Sequence, residues 1–172
     1  MTNKSVRGDY SPNPFYFIEH NEEYALSRIV AFTQDVNQLK TLFKEIIEYF
    51  PQEIDVLFKI LDGNDFDRFH GIIEKYKLLV TLNKFEEFVF EDGSFQLCIK
   101  FPDNDEYVAL DEHGVLFIYS LDEFFINKLE KNNFIARKEE MIFLKPHYHH
   151  MIKDSEIFAQ KFIEELELEE VE

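Results

Sequence analysis

The chain is poor in the residues that cross-link small folds or break their regular structure. It has one cysteine, Cys98, no tryptophan, five glycines and five prolines among 172 residues. A single cysteine excludes an intramolecular disulfide, and Cys98 lies in an alternating apolar run where a small buried thiol is expected, which favours a reducing compartment. Five glycines are also too few for a typical glycine-rich phosphate loop. Turns must therefore depend largely on Asn and Asp.

Long apolar runs are also missing. No segment approaches the roughly 18 apolar residues that span a bilayer, and the first residues, MTNKSVRGDYSPNP, lack the apolar core of a secretory signal. These absences predict a cytoplasmic protein that does not bind membranes. The common nucleotide-binding, metalloprotease and serine-hydrolase motifs are absent too, so no cofactor is predicted.

Positive charge is scarce. The chain has 35 acidic residues against 18 Lys and Arg, a net charge of −17. Residues 102–127 contain seven acids and no Lys or Arg at all. Because nucleic-acid affinity depends on Lys and Arg displacing counterions from phosphates, direct binding of DNA or RNA is disfavoured, as is binding to anionic lipid.

Apolar and aromatic side chains are abundant. Apolar residues make up 45% of the chain and phenylalanine alone accounts for 20 positions, enough to fold one domain without metal or disulfides. Residues 1–14, with Pro12 and Pro14, are predicted to be an irregular N-terminal arm. Residues 15–168 are predicted to form a single α+β domain.

The periodicity predicts a β-α-β-α unit at the start of this domain. Residues 24–33 are predicted as a strand, and Asp35 as the N-cap of a helix that Pro51 ends. Residues 54–61 alternate as a strand. Apolar residues from Phe66 to Val80 recur at helical spacing and predict a second helix, in which Gly71 marks close packing.

An antiparallel β-meander is predicted next. Its first hairpin joins residues 88–90 and 95–101 through Asp92–Gly93, and strands 107–110 and 115–119 follow. Ser120 and Glu123 form a capping box that opens a helix. A short β-hairpin of residues 134–137 and 141–144 comes next. A C-terminal helix from Asp154 ends in a glutamate-rich segment that is expected to fray.

The acidic segment supplies the leading functional hypothesis. Seven carboxylates without a compensating base, placed on turns, would create a field that steers basic partners. The chain is therefore predicted to be a non-enzymatic binding protein, of the inhibitor or immunity kind, that engages a basic protein surface. Solubility alone is the simpler explanation of the same charge. The proposed contact residues are Asp103, Asp105, Glu106, Asp111, Glu112, Asp122 and Glu123.

Metal binding is the alternative hypothesis. His147, His149 and His150 are clustered, and histidines two apart on a strand project to one face, where they can chelate a metal. Asp111 or His113 could complete the ligand set, although nothing in the sequence brings that turn to the histidines. A hydrogen-bonded loop is the simpler interpretation.

Three further interpretations remain open. Asp111 and His113 could form an acid–base pair, although a polar turn with Gly114 in the left-handed conformation explains the same residues. Cys98 could be a nucleophile but is predicted to lie within a strand. The C-terminal helix could pack on a partner or a second copy as part of a regulatory subunit.

Overall fold

The computed structural model describes residues 3–7, 12–21, 26–138 and 146–172. They form a single α+β domain, as predicted. The strands are β1 (Ser5–Val6), β2 (Phe15–Asn21), β3 (Leu26–Phe32), β4 (Glu53–Asp62), β5 (Asp65–Glu74), β6 (Phe95–Lys100), β7 (Tyr107–Leu110), β8 (Val115–Tyr119), β9 (Ile135–Ala136), β10 (Tyr148–His149) and β11 (Glu169–Val171). The helices are α1 (Val36–Tyr49), α2 (Lys75–Lys84), α3 (Glu86–Glu91), α4 (Glu123–Lys131) and α5 (Ser155–Leu166). Among the described residues, no helix combines the length and apolarity needed to cross a bilayer.

Nine of the described strands form one mixed sheet in the order β11-β5-β4-β6-β7-β8-β3-β2-β9. Every neighbouring pair is antiparallel except β2 and β9, which run parallel. The predicted meander is confirmed as β6, β7 and β8. A separate antiparallel pair joins β1 to β10.

The predicted strand–helix–strand unit is present as β3, α1 and β4. Asp35 caps α1 by accepting hydrogen bonds from the backbone amides of Asn37 and Gln38, and the helix ends at Tyr49, before Pro51. Strands β3 and β4 run in the same direction but have β6, β7 and β8 between them. Helix α1 therefore connects strands that are not neighbours, and the later meander fills the gap.

The helix predicted from Phe66 to Val80 is wrong in its first half. Residues up to Glu74 form β5, which pairs along its whole length with β4, and α2 begins only at Lys75. The apolar spacing fits a helix, but a ten-residue hairpin through Gly63, at φ +60°, satisfies more backbone groups. Gly71 does mark close packing, since a Cβ there would lie 3.0 Å from Leu168 Cδ2.

Three smaller predictions need correction. Residues 88–90 lie in α3 and not in a hairpin strand, because Phe88 and Phe90 are both fully packed on the helix side of the sheet. The N-cap of α4 is Asp122, whose carboxylate accepts from the Phe124 amide, and not Ser120.

At the C-terminus, the glutamate-rich end does not fray. Residues 169–171 form β11 and pair with β5. In the predicted short hairpin, residues 135–136 form β9 beside β2, and residues 141–144 lie outside the described residues.

The two faces of the sheet are covered differently. The helices and the side chains facing them form the main core, which includes Phe43, Phe58, Phe88, Phe95 and Phe162. A second, smaller buried cluster lies on the opposite face over β2, β3, β7 and β8. On that face, the part of the sheet formed by β4, β5 and β6 keeps intermediate exposure, with side chains such as Leu57 and Cys98 only partly buried.

Candidate functional site

The turn between β7 and β8 is built by the carboxylate of Asp111. This side chain is buried and accepts hydrogen bonds from the backbone amides of His113 (3.0 Å) and Val115 (2.7 Å). Gly114 takes φ +72°, the left-handed conformation that the sequence predicted for it. The second carboxylate oxygen of Asp111 lies 3.0 Å from His113 Nδ1. The turn therefore fixes both the backbone and the ring of His113.

The N-terminal arm brings the second histidine segment to this turn. In the arm, β1 pairs with β10, and the Lys4 carbonyl accepts from the His150 amide at 2.8 Å. The Ser5 hydroxyl donates to the His113 carbonyl at 2.7 Å. Asn3, Lys4, Ser5 and Arg7 are all buried. Residues 3–7 thus connect the β7–β8 turn to residues 146–150.

Three imidazoles converge where these segments meet. The ring centroid of His113 lies 4.8 Å from that of His147 and 4.8 Å from that of His149, and the other two centroids are 5.7 Å apart. One ring nitrogen from each histidine lies within 4.8 Å of the others. We call His113, His147 and His149 the histidine cluster. Each member is partly exposed, so solvent can reach the site.

Hydrogen bonds orient two of the three rings. His149 Nδ1 lies 2.8 Å from the Gly93 carbonyl, which can only accept, so this nitrogen carries the proton. His113 Nδ1 likewise faces the Asp111 carboxylate. In a neutral imidazole, the lone pair is then left on Nε2 of each ring. A carboxylate or carbonyl behind the distal nitrogen is the usual support of a metal-binding histidine.

His150 does not join the cluster. Its Nδ1 lies 2.7 Å from the Glu91 carbonyl, and its backbone carbonyl accepts from the Gly93 amide. Because side chains alternate along an extended segment, His147 and His149 share one side and His150 takes the other. His113 occupies the third position that the sequence assigned to His150.

A fully buried lysine lies under the same turn. Lys4 Nζ donates to the Phe95 carbonyl at 3.1 Å and lies 3.6 Å from the centroid of the Phe95 ring. Burial lowers the pKa of Lys4 to about 7, and the charges of Asp111, Asp92 and Glu112 oppose the shift without cancelling it. No sequence pattern predicts the burial of this residue, since a lysine between Asn3 and Ser5 resembles any solvated position.

The seven predicted contact carboxylates divide into two groups. Asp111 and Glu112 are largely buried, and Glu112 accepts from the Gln96 amide at 2.6 Å. The remaining five lie at the opposite end of β7 and β8, in the β6–β7 turn and at the start of α4: Asp103, Asp105, Glu106, Asp122 and Glu123. Among the described residues, the ion pairs of these five comprise only Lys100–Asp105, at 3.5 Å.

The two other features that the sequence suggested for function, helix α5 and Cys98, lie within the fold. Helix α5 buries Phe162, Ile163 and Leu166 in the chain's own core, although Ile157 stays exposed. Cys98 is only partly buried, because its strand neighbours Leu97 and Ile99 take the core side and leave it on the other face. Burial raises the pKa of the Cys98 thiol, which opposes the thiolate form that a nucleophile needs.

Comparisons with known proteins add nothing to this geometry. No protein-family description matches the chain, and neither a curated protein nor a solved structure shows significant similarity to it. Function must therefore be inferred from the side chains themselves.

Proposed function

We propose that this protein binds a divalent transition-metal ion through His113, His147 and His149. The observation that carries the proposal is the convergence of three imidazoles, two of which have Nδ1 bonded to an acceptor, which leaves Nε2 as the nitrogen that can bind a metal. Imidazole is a ligand that Zn²⁺, Ni²⁺ and Cu²⁺ all accept. The buried Asp111 carboxylate, 3.0 Å from His113 Nδ1, holds that ring in a fixed orientation.

The ligand set leaves part of the coordination sphere to solvent. Tetrahedral zinc with Zn–N distances of about 2.1 Å separates its nitrogens by about 3.4 Å, so the three rings must move together by small side-chain rotations. Three protein ligands and an open fourth position are typical of sites where a metal binds water or substrate. Metal binding is the proposed function, and any chemistry at the open position would follow from it.

The test is zinc binding by tag-free protein, measured by elemental analysis and by titration calorimetry. We expect one Zn²⁺ per chain, and a loss of at least about a hundredfold in affinity for H113A, H147A and H149A, since each removes one of three ligands. D111N keeps the size of the turn residue and should weaken binding about 10–100-fold.

H20A is the matched control, because His20 is exposed and bonds Ser27 instead of the cluster. H150A is a second control that tests the assignment within the motif. Undiminished binding by the H113A/H147A/H149A triple variant would refute the proposal, as would an H150A protein that loses the metal while H113A keeps it.

A second candidate function is docking of a basic protein on the acidic end formed by Asp103, Asp105, Glu106, Asp122 and Glu123. Its support is that these five carboxylates lie at one end of the sheet with a single ion pair among the described residues, the pair Lys100–Asp105, whose carboxylate is fully exposed. Such a surface raises association rates with positive partners at low salt. Asp111 and Glu112 are left out because their side chains are largely buried and lie at the other end of β7 and β8.

Capture of partners from cognate lysate tests this candidate. A specific partner should be retained at low salt, released at high salt, and lost from D103N/D105N/E123Q. The control E156Q/E164Q/E169Q removes the same charge elsewhere and should retain it. Equal capture by both triple variants would contradict docking at this end.

We also propose that the protein is cytoplasmic, and the support for this is its single cysteine.

A further inference from the structure

The uncovered part of the sheet contains a concavity that none of these functions uses. It has a volume of about 310 Å³ and its lining is mostly apolar. Leu57 on β4 and Cys98 on β6 are register partners and form its floor. Ligand pockets typically begin near this size and combine apolar walls with a few polar groups.

Two lysines flank this floor. Lys59 lies two residues beyond Leu57 on β4, and Lys100 lies two residues beyond Cys98 on β6, toward the opposite end of the concavity. Residues two apart on a strand share a face and are about 7 Å apart. The register pairs Lys100 with Tyr107 on β7, which completes the wall beside it. An apolar floor therefore lies between two ammonium groups.

Both ammonium groups are available to a ligand. Within the described part of the chain, Lys59 has no ion pair, and the 3.5 Å contact of Lys100 is with Asp105, whose side chain is fully exposed and screened by water. Asp55 also lines the concavity and is the register partner of Lys100, and its carboxylate accepts from His70 at 2.7 Å. A chain with net charge −17 thus keeps two cations over an apolar surface.

Of the remaining polar groups, the Cys98 thiol and the Tyr107 hydroxyl add no negative charge to the concavity. Burial raises the pKa of the Cys98 thiol, so the floor stays uncharged at neutral pH and does not repel negative charge. Burial and a hydrogen bond with the hydroxyl of Tyr119 also raise the pKa of Tyr107, so its hydroxyl stays protonated and uncharged. Lysine ammonium groups supply three donors each, and carboxylates and sulfonates accept them.

We propose that this concavity binds a small organic anion. Its apolar body lies on Leu57 and Cys98, and its carboxylate or sulfonate lies against Lys59 or Lys100. The site uses none of the residues of the histidine cluster or of the acidic end. Its test can therefore succeed or fail independently of the test of the proposed function.

Cys98 is the only cysteine and reports directly on occupancy. The probe is 8-anilinonaphthalene-1-sulfonate, and the readouts are its fluorescence and the rate at which N-ethylmaleimide alkylates Cys98, followed by mass spectrometry. We expect saturating probe to slow alkylation at least about tenfold, because it covers the floor. Decanoate should displace the probe and protect Cys98, whereas decanol at the same concentration should do so at least about tenfold less well.

Charge variants separate this site from general apolar binding. K59Q/K100Q should weaken probe binding at least about tenfold, while the control K153Q, which alters an exposed lysine, should not change it. If the double variant unfolds by circular dichroism, K59Q and K100Q are tested singly, and at least one of them should weaken probe binding. Fluorescence without protection of Cys98, or protection that K59Q, K100Q and K153Q all leave unchanged, would overturn the proposal.

Discussion

Replacing Lys4 by Met should change how the stability of the protein depends on pH. In the folded state the pKa of Lys4 is about 7 because of burial, whereas the unfolded chain has the ordinary value of 10.5. Between these values, the unfolded state binds one proton more than the folded state. The free energy of unfolding of the wild type therefore rises with pH across this window, by about 1.4 kcal/mol per pH unit from this residue alone.

K4M removes that contribution and keeps most of the length of the side chain. Comparing pH 6.5 with pH 9.5, the wild type should gain about 3 kcal/mol more stability than K4M, since most of the window between the two pKa values lies between these conditions. Below pH 7 the wild type carries a buried charge, and K4M should be the more stable protein there. The loss of the hydrogen bond to the Phe95 carbonyl reduces this advantage by about 1 kcal/mol.

The assay is urea denaturation followed by far-UV circular dichroism at several pH values, with a chelator present. Dichroism of the backbone avoids the tyrosines, which ionise at high pH. K153M is the matched control, because Lys153 is exposed and its substitution should leave the pH dependence unchanged. If K4M and wild type gave parallel curves from pH 6.5 to 9.5, the burial of Lys4 and the docking of the arm would both be wrong.

Three further substitutions test the packing. G93A would place a Cβ in steric conflict with the Lys4 carbonyl oxygen and 3.1 Å from His149 Cβ, so it should displace the arm and weaken zinc binding at least about tenfold in calorimetry. F162A should lower the free energy of unfolding in urea by about 3–5 kcal/mol, because the ring is fully buried among other aromatic rings. D35A should lower it by about 1 kcal/mol through loss of the α1 N-cap.

For each of the three substitutions, one result would contradict the prediction. G93A with normal zinc affinity would mean that the arm does not organise the histidine cluster. F162A costing less than 1 kcal/mol would contradict its place in the core. For the cap, D35N is the control, since Asn also accepts at this position, and a loss as large as that of D35A would argue against capping.

Local sequence patterns predicted the elements whose tertiary contacts favour the same secondary structure as the pattern does. Helix α1 carries both a cap and an apolar stripe, and the meander strands alternate with turn residues between them. The segment from Phe66 to Glu74 failed because its apolar positions suit a helix, while pairing with β4 decides otherwise. Ser120 failed as a cap because α4 begins only at Glu123, where the Asp122 carboxylate accepts from the Phe124 amide, and the Ser120 hydroxyl accepts from the Asp122 amide before the helix.

The candidate site was only partly predictable, for a different reason. Alternation places His147 and His149 on one side, and this follows from sequence spacing alone. The meeting of these residues with His113 depends on β1, five residues into a polar arm, pairing with β10 near residue 149. Contacts between residues so far apart in the chain produce no local sequence pattern. The burial of Lys4 produces none either, so neither could be predicted.

Strand β11 has a consequence for how copies of this protein behave in concentrated solution. It pairs with only three residues of β5, Arg68 to His70, at one border of the sheet, and it presents the exposed carboxylates of Glu169 and Glu170 there. Unpaired borders of sheets recruit strands from other molecules, and negative charges along a border repel them. Removing residues 169–172 should therefore allow copies of the protein to associate through β5. This association would be detected as an apparent molar mass that rises with concentration in light scattering.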